Sequence, residues 1–193
     1  MSNRIIAIGR QFGSGGRTIG KKVAEKLGIP CYDNEILEKM AVESGFAPEY
    51  LKEQTEYAGS RNWFTHALSA GTFTGAYQDE LWALQNKIIK DLAEQGPCVF
   101  VGFCSEYILR NHENVLRAFI YADTEFRAKR IVEQYGETNV APEKRLKEKD
   151  RRRAAYYQYY TDLTWGASKN YHLSLNSGTL GIDNCVEILT KMY

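Results

Sequence analysis

The chain has 193 residues, 44% of them hydrophobic and 25% charged, with four cysteines and a formal net charge of +1. That length suits one folding unit with a substantial core, and near-neutrality argues against a globally basic nucleic-acid binder. Four thiols without a C-x-x-C pair exclude a disulfide-dense scaffold, and no run approaches the roughly 20 apolar residues of a membrane span. With no apolar targeting segment after a basic start, the expectation is a cytoplasmic protein with buried thiols and neither a membrane nor a nucleic-acid partner.

Taken in order, Ile5 to Ile8 reads as a buried strand, and Thr18 to Leu27 as a helix with Ile19, Val23, Ala24 and Leu27 on one face before Gly28. Between them lies Gly13-Ser14-Gly15-Gly16-Arg17-Thr18. Glycines let successive backbone N–H groups converge on one anion, and the following helix adds its partial positive N-terminal end. The loop therefore predicts a nucleotide phosphate cradle, with Arg17 as a phosphate clamp and the Thr18 hydroxyl suited to a phosphate-bound magnesium ion. Against the pattern G-x-x-x-x-G-K-S/T, Gly16 and Thr18 fit, Arg17 replaces lysine and Gln11 stands at the first glycine. A dinucleotide-binding reading competes, because Gly13 and Gly15 begin a G-x-G and Asp33 lies about twenty residues on. Thr18 at its third glycine position weakens that rival.

Ile29 to Tyr32 is a short second strand, and Asp33 is placed to cap a helix running through Ser44. From Tyr57 to Tyr77 the chain carries Gly59, Gly71 and Gly75 among Trp63, Phe64 and Phe73, without sustained periodicity. Gln78 to Gln95 is helical through Leu81, Leu84, Ile88 and Leu92, closed by Gly96-Pro97 ahead of the strand Cys98 to Val101 and a second loop junction at Gly102. Leu116 to Tyr121 is another strand, followed by a helix from Thr124 toward Gly136. Pro142 to about Tyr160 is a charged helix, Leu173 to Leu175 a last strand, and Ile182 to Met192 a last helix. Helices alternating with apolar strands predict an α/β fold with a parallel sheet.

Lys144, Arg145, Lys147, Lys149, Arg151, Arg152 and Arg153 form the densest positive charge. Arginines on a closing flap would stabilise a phosphoryl-transfer transition state; the bland alternative is a solvated helix with i,i+4 pairs such as Lys144 with Glu148. Tyr156, Tyr157, Tyr159 and Tyr160 read as packing residues, with stacking on nucleic acid the weaker alternative.

With these motifs in order, the sequence resembles the cytidylate kinase-like family, relatives of bacterial cytidylate kinase among the P-loop nucleoside monophosphate kinases. The resemblance is carried by IIAIGRQFGSGGRTIGKKVAEKLG, CYDNEIL, VFVGFCSEYIL, FIYADTEFRAKRI, the YYQYYT run with Trp165-Gly166, and YHLSLNSGTLGI. It implies a P-loop three-layer α/β fold, with helices on both faces of a mostly parallel sheet and an arginine-rich helical lid. It implies a single domain over residues 1–193, with 46–77 as the acceptor region and 136–166 as the lid. The activity implied is transfer of the γ-phosphoryl of ATP, carried with Mg2+, to a pyrimidine monophosphate, most readily CMP or dCMP. Arg17, Arg152 and Arg153 are then the expected catalytic arginines. Arg127, Arg130 and Arg151 would join the loop in holding ATP, and Asp33 and Phe103 would lie at the acceptor.

This chain departs from that pattern in places. Gly102-Phe103 stands where Gly-Arg is common, and Asn176 where the Asp of an Asp-Ser pair is common. An alternative alignment puts Gly16 at the lysine position, and no acidic residue ends the Cys98 to Val101 strand, which leaves Glu106 as a substitute metal support. Two further readings stay open, a nucleotide-binding module that has lost phosphoryl transfer and a kinase of another small acceptor. The aromatic content between Tyr57 and Tyr77 suits either a substrate pocket or a partner subunit, so a homo-oligomer stays open too.

Overall fold

Alternate residues of each apolar run face opposite sides of one sheet, and each side is covered by helices. The computed structural model describes residues 5–45, 51, 74–136 and 138–193, with residues 74–77 as helix backbone. Its elements are β1 (Ile5–Arg10), α1 (Gly16–Leu27), β2 (Cys31–Tyr32), α2 (Asn34–Ser44), α3 (Thr74–Glu94), β3 (Cys98–Val101), α4 (Ser105–Ile108), β4 (Val115–Tyr121), α5 (Thr124–Tyr135), α6 (Pro142–Thr161), β5 (Leu173–Asn176), α7 (Ser177–Leu180) and α8 (Ile182–Met192), with a 3-10 turn at Ser168–Asn170. The strands run in the order β2-β3-β1-β4-β5, every neighbouring pair parallel.

On one face Ile5, Cys98 and Phe100 pack with Ile36 and Met40 of α2 and Ile88 and Leu92 of α3. On the other, Ile6, Ile8, Val99 and Val101 meet Ile19 and Val23 of α1 and Val186 and Leu189 of α8. Helices on both faces of a parallel sheet make the three-layer α/β architecture. Because β1 lies between β3 and β4, chain leaving the carboxyl ends of these strands opens a crevice at the switch of strand order, where ligands bind in such sheets.

The strands and longer helices expected from periodicity are present, with ends displaced by a few residues. The short helices α4 and α7 carry too few residues for a periodic signal. The 46–77 stretch expected to shape an acceptor pocket lies outside the described residues, apart from Leu51 and the first turn of α3.

Asp33 stands at the N-cap of α2, but its carboxylate makes no capping hydrogen bond. It forms ion pairs with Arg17 and Arg10 instead, because charged donors outcompete a neutral amide for a buried carboxylate. Glu35 supplies a local bond in its place, accepting from the Asp33 N–H at 2.9 Å.

The α1 helix comes close to the sheet at Gly20, where an added Cβ would fall 2.5 Å from Val101 Cγ2. Alanine there gains about 1 kcal/mol of helix propensity but overpacks a core in which Val101 is fully buried. Gly20→Ala is therefore expected to lower the melting temperature, and a variant that melts higher than the parent would contradict this packing.

Candidate active site

Gly13 and Gly15 have φ of 79° and 81°, a left-handed conformation that glycine adopts without a Cβ penalty. They also leave no room for side chains: a Cβ on Gly13 would lie 2.8 Å from Ile131 Cγ2, and one on Gly15 2.4 Å from Ile182 Cδ1. Ser14 is fully buried and turned inward, its Oγ donating to Gln11 O at 2.9 Å. Ser177 holds the same turn from α7 by donating to Ser14 O at 2.6 Å. Of the expected loop residues, Ser14 thus shapes the turn, whereas Gly13, Gly15, Gly16, Arg17 and Thr18 line the cavity it encloses.

That cavity, about 320 Å³, is also lined by Arg10, Arg130, Lys149, Arg153 and Asp33. Cations outnumber the carboxylate several-fold, and α1 points its N-terminal end at the same space, the electrostatics a polyphosphate requires. Arg17 pairs with Asp33 across its rim. Arg130 donates to Thr18 Oγ1 at 2.8 Å. Arg127 lies under the loop rather than in the cavity: it is buried, donates to Phe12 O at 3.2 Å and pairs with Asp150 at 2.5 Å. Asp150 in turn accepts from the Phe12 N–H at 2.7 Å, so α5 and α6 clamp the loop backbone from both sides.

The arginine run of α6 divides, because neighbours on a helix point about 100° apart. Arg153 reaches the loop and donates to Arg10 O at 3.0 Å. Arg152 turns back along its own helix to Glu148 and lines neither cavity of the site. Arg151 is exposed and lines a separate hollow beside Thr124 and Lys147. Of the three arginines expected to face phosphate, Arg153 lines the larger cavity together with Lys149, one turn earlier, and Arg151 and Arg152 do not. This i,i+4 spacing was the signal that could have separated them.

A second, smaller cavity of about 100 Å³ adjoins the first and shares Arg10, Asp33, Asn34 and Arg153 with it. Its walls include Leu37, Phe103, Tyr156, Tyr157 and Trp165, and Glu106 lies in it. Asp33 and Phe103, expected at the acceptor, meet here. Phe103 and Cys104 follow Gly102 in the left-handed region, φ 56° and 52°, a strained turn of order 1–3 kcal/mol per residue. Buried Gln85 holds it, donating to Phe103 O at 2.8 Å while accepting from the Tyr156 hydroxyl at 3.2 Å. Tyr156 and Tyr160 pack against Trp82 and Tyr157 against Tyr107, Tyr156 and Tyr157 also forming cavity wall, whereas Tyr159 is exposed. Neither Gln85 nor Arg10 was visible in the sequence as a site residue, since each acts through a contact distant in the chain.

Asn176 has a structural task, its Oδ1 accepting from the N–H groups of Gly178 and Thr179. An amide oxygen caps as well as a carboxylate, and Asn176 lines neither cavity of the site. Burial pushes the thiols of Cys31 and Cys98 up to about 11 and about 12 and raises that of Cys104 well above its ordinary value, which leaves no reactive thiolate among them.

Among the described residues no three His, Cys, Asp or Glu side chains gather as a metal cage. Magnesium held on nucleotide phosphates needs only one or two protein oxygens, and Thr18 Oγ1 and the Asp33 carboxylate line the phosphate cavity. Hard oxygen donors of this kind fit the ion. Glu106 belongs to the smaller cavity, away from Thr18.

Residues 5–179 match the family described as cytidylate kinase-like. The chain belongs to that family. A cytidylate kinase of Archaeoglobus fulgidus is 30% identical over 191 residues, 96% of this chain and 92% of the relative. A crystal structure of an uncharacterised protein from Eubacterium ventriosum superposes with a TM-score of 0.73 at 29% identity, covering 98% of this chain and 97% of the other. Shikimate kinase from Acinetobacter baumannii, solved with shikimate, gives a TM-score of 0.52 at 15% identity over 100% of this chain and 93% of its own, a likeness of fold alone. Among the described residues no helix is long and apolar enough to cross a membrane.

Glu106 is 2% exposed, and its Oε2 has no hydrogen-bond partner. Burial pushes its carboxyl up to about 7, offset in part by its own backbone N–H and by Arg10 and Arg117. Below the ordinary value of 4.5 both folded and unfolded chains hold this proton; between 4.5 and 7 only the folded chain does. Stability from this group is therefore lost as pH rises through that window, by on the order of 3 kcal/mol. Melting curves should show Glu106→Gln gaining on the parent protein from pH 5 to pH 8; a difference independent of pH would contradict the buried carboxyl.

Proposed function

We propose that this protein transfers the γ-phosphoryl group of MgATP to a pyrimidine nucleoside monophosphate, CMP or dCMP first among them. The observation that carries this reading is the pair of adjoining cavities, one cation-lined over a glycine loop, the other aromatic-walled, which share Arg10, Asp33 and Arg153. The family and the relative named cytidylate kinase support it.

Loop N–H groups and the α1 terminus would hold the donor phosphates, with Arg17 and Arg130 at their flank. Thr18 Oγ1 and the Asp33 carboxylate would hold the magnesium of the nucleotide, which would supply charge neutralisation at the phosphate oxygens. An oxygen of the acceptor phosphate forms the new bond to the γ-phosphorus as the bond to the β–γ bridging oxygen breaks, its electron pair leaving with ADP. No covalent enzyme intermediate is needed; positioning and electrostatics supply the rate. Residues 136–166, which contain α6, form the lid in this reading, with Arg153 and Lys149 as its phosphate-facing cations. The whole chain acts as one domain.

A second reading, transfer to a different small acceptor, is favoured by Phe103, whose apolar ring lines the smaller cavity where an arginine is common in cytidylate kinases. ADP release from MgATP across CMP, dCMP, UMP, AMP, GMP, shikimate, gluconate and no acceptor separates the two. Stimulation by CMP or dCMP is expected; stimulation by a non-nucleotide alone favours the second reading, and silence throughout sinks both. Arg153→Ala should lower kcat/KM by about 10²- to 10³-fold, within the range for removing a transition-state cation, with little change in melting temperature. Arg151→Ala should stay within a few-fold. Equal losses from both would contradict the orientation of α6.

A further inference from the structure

The phosphate-loop pattern places a lysine directly after the last loop glycine, at the opening of the helix, where its ammonium reaches the β- and γ-phosphates. On the alignment that puts Gly16 at the lysine position, Gly15 is the N-cap and Gly16 is the residue that opens α1. That position supplies no cation. Arg17, the next residue, is about half exposed and committed to Asp33 at the rim.

Arg10 ends β1, five residues before the helix cap, and its side chain runs through the space that residue 16 leaves empty. An ideal Cβ on Gly16 would fall 2.5 Å from Arg10 Cβ and 3.0 Å from its Cγ. Both positions cannot carry a side chain in this backbone. The guanidinium then lies over Gly102, where an ideal Cβ would be 1.9 Å from Arg10 Nη1 and 2.4 Å from Cζ. Gly102 has a φ of 87°, so both its backbone and its space demand glycine. Two missing side chains thus make a channel for one arginine.

The head of that arginine stands where the phosphate cavity and the smaller cavity meet, and it lines both. Its ion pair with Asp33 is loose, 3.9 Å from Nη2 to Oδ1, and its side chain is 20% exposed. Arg153 braces the same residue through its carbonyl. A guanidinium held by its stem, with its fork turned to a space that two phosphates would share, is built for bidentate contact with phosphate oxygens.

We propose that Arg10 is the phosphate-binding cation of this loop, taking the place of the lysine that Gly16 cannot supply and contacting the phosphoryl group that passes between the cavities. The proposal rests on the phosphoryl-transfer reading above. It also explains why glycines stand at 16 and 102 together: either side chain would displace the arginine.

The test exchanges the two positions. MgATP affinity by titration calorimetry and transfer to CMP would be measured for the parent protein, Arg10→Gln, Arg10→Gly, Gly16→Lys and the double variant Arg10→Gly with Gly16→Lys, each checked by thermal melting. Arg10→Gln keeps the stem beside Gly16 and removes the charged head, so it reports on the cation even if the glycine variant folds poorly. Arg10→Gln is expected to weaken MgATP binding about 10- to 100-fold and to slow transfer by about 10²-fold or more. Gly16→Lys alone should lower both activity and melting temperature through the clash with Arg10. The double variant should recover MgATP affinity to within about tenfold of the parent, because a lysine can then occupy the vacated channel. Arg10→Gln binding MgATP as the parent does, or a double variant no better than Arg10→Gly, would overturn the proposal. If MgATP binding depends on Arg10 but the parent transfers to no acceptor, the transfer reading fails and the phosphate-binding role stands. Transfer that is intact and indifferent to Arg10 removes the role alone.

Discussion

Arg10 can lie beneath the phosphate loop only because residues 16 and 102 carry no side chains. Much of the site follows from this one steric allowance. The guanidinium fills the junction of two cavities and gives Asp33 a second cationic neighbour beside Arg17, while the backbone carbonyl of Arg10 accepts from Arg153. A parallel sheet with β1 at its centre delivers these residues to one crevice, since the loops after β1, β2 and β3 all leave from its carboxyl end. The positive potential of the larger cavity then comes from side chains on four separate segments, the end of β1, α1, α5 and α6, converging on backbone that itself points N–H groups inward.

The α6 helix joins the two cavities mechanically. Its middle holds the loop through Asp150, its next turn brings in Arg153, and its aromatic end forms the wall of the smaller cavity. Through Tyr156 and Gln85 that wall is hydrogen-bonded to the strained turn at Phe103. A shift of α6 would therefore be felt at both cavities together, and a strained turn held by one buried amide is the kind of element that such a shift could release.

Much of the fold was legible because the signals were local. Short apolar runs of three to six residues marked the strands, and the 3.6-residue period marked α1, α3 and α8. The glycine loop was legible for the same reason, as Gly13 and Gly15 are demanded by their own backbone angles. What stayed hidden depends on contacts between distant residues. Asp33 sits at a helix start and looks like a cap, yet its carboxylate answers to arginines that the fold brings alongside. Three consecutive arginines look equivalent in a sequence, but a helix sends Arg153 inward, Arg152 along its own axis and Arg151 outward. The strand order and the short helices α4 and α7 left no periodic trace.

Two departures from the cytidylate kinase pattern acquire physical meaning from the structure. Asn176 keeps a capping role that needs only an oxygen, and glycine at position 16 is the steric partner of arginine at position 10. Phe103 is different, since it puts an apolar ring in the wall of the smaller cavity, where Arg10 and Arg153 are the cations among the described lining residues.

In the proposed reaction two nucleotide phosphates meet across the Arg10 junction. The most direct measurement is the affinity of an adenosine–cytidine conjugate joined through five phosphates, compared with ATP and CMP alone by calorimetry. Binding at least about 10²-fold tighter than ATP is expected, because one molecule would span both cavities. Affinity no greater than that of ATP would contradict it.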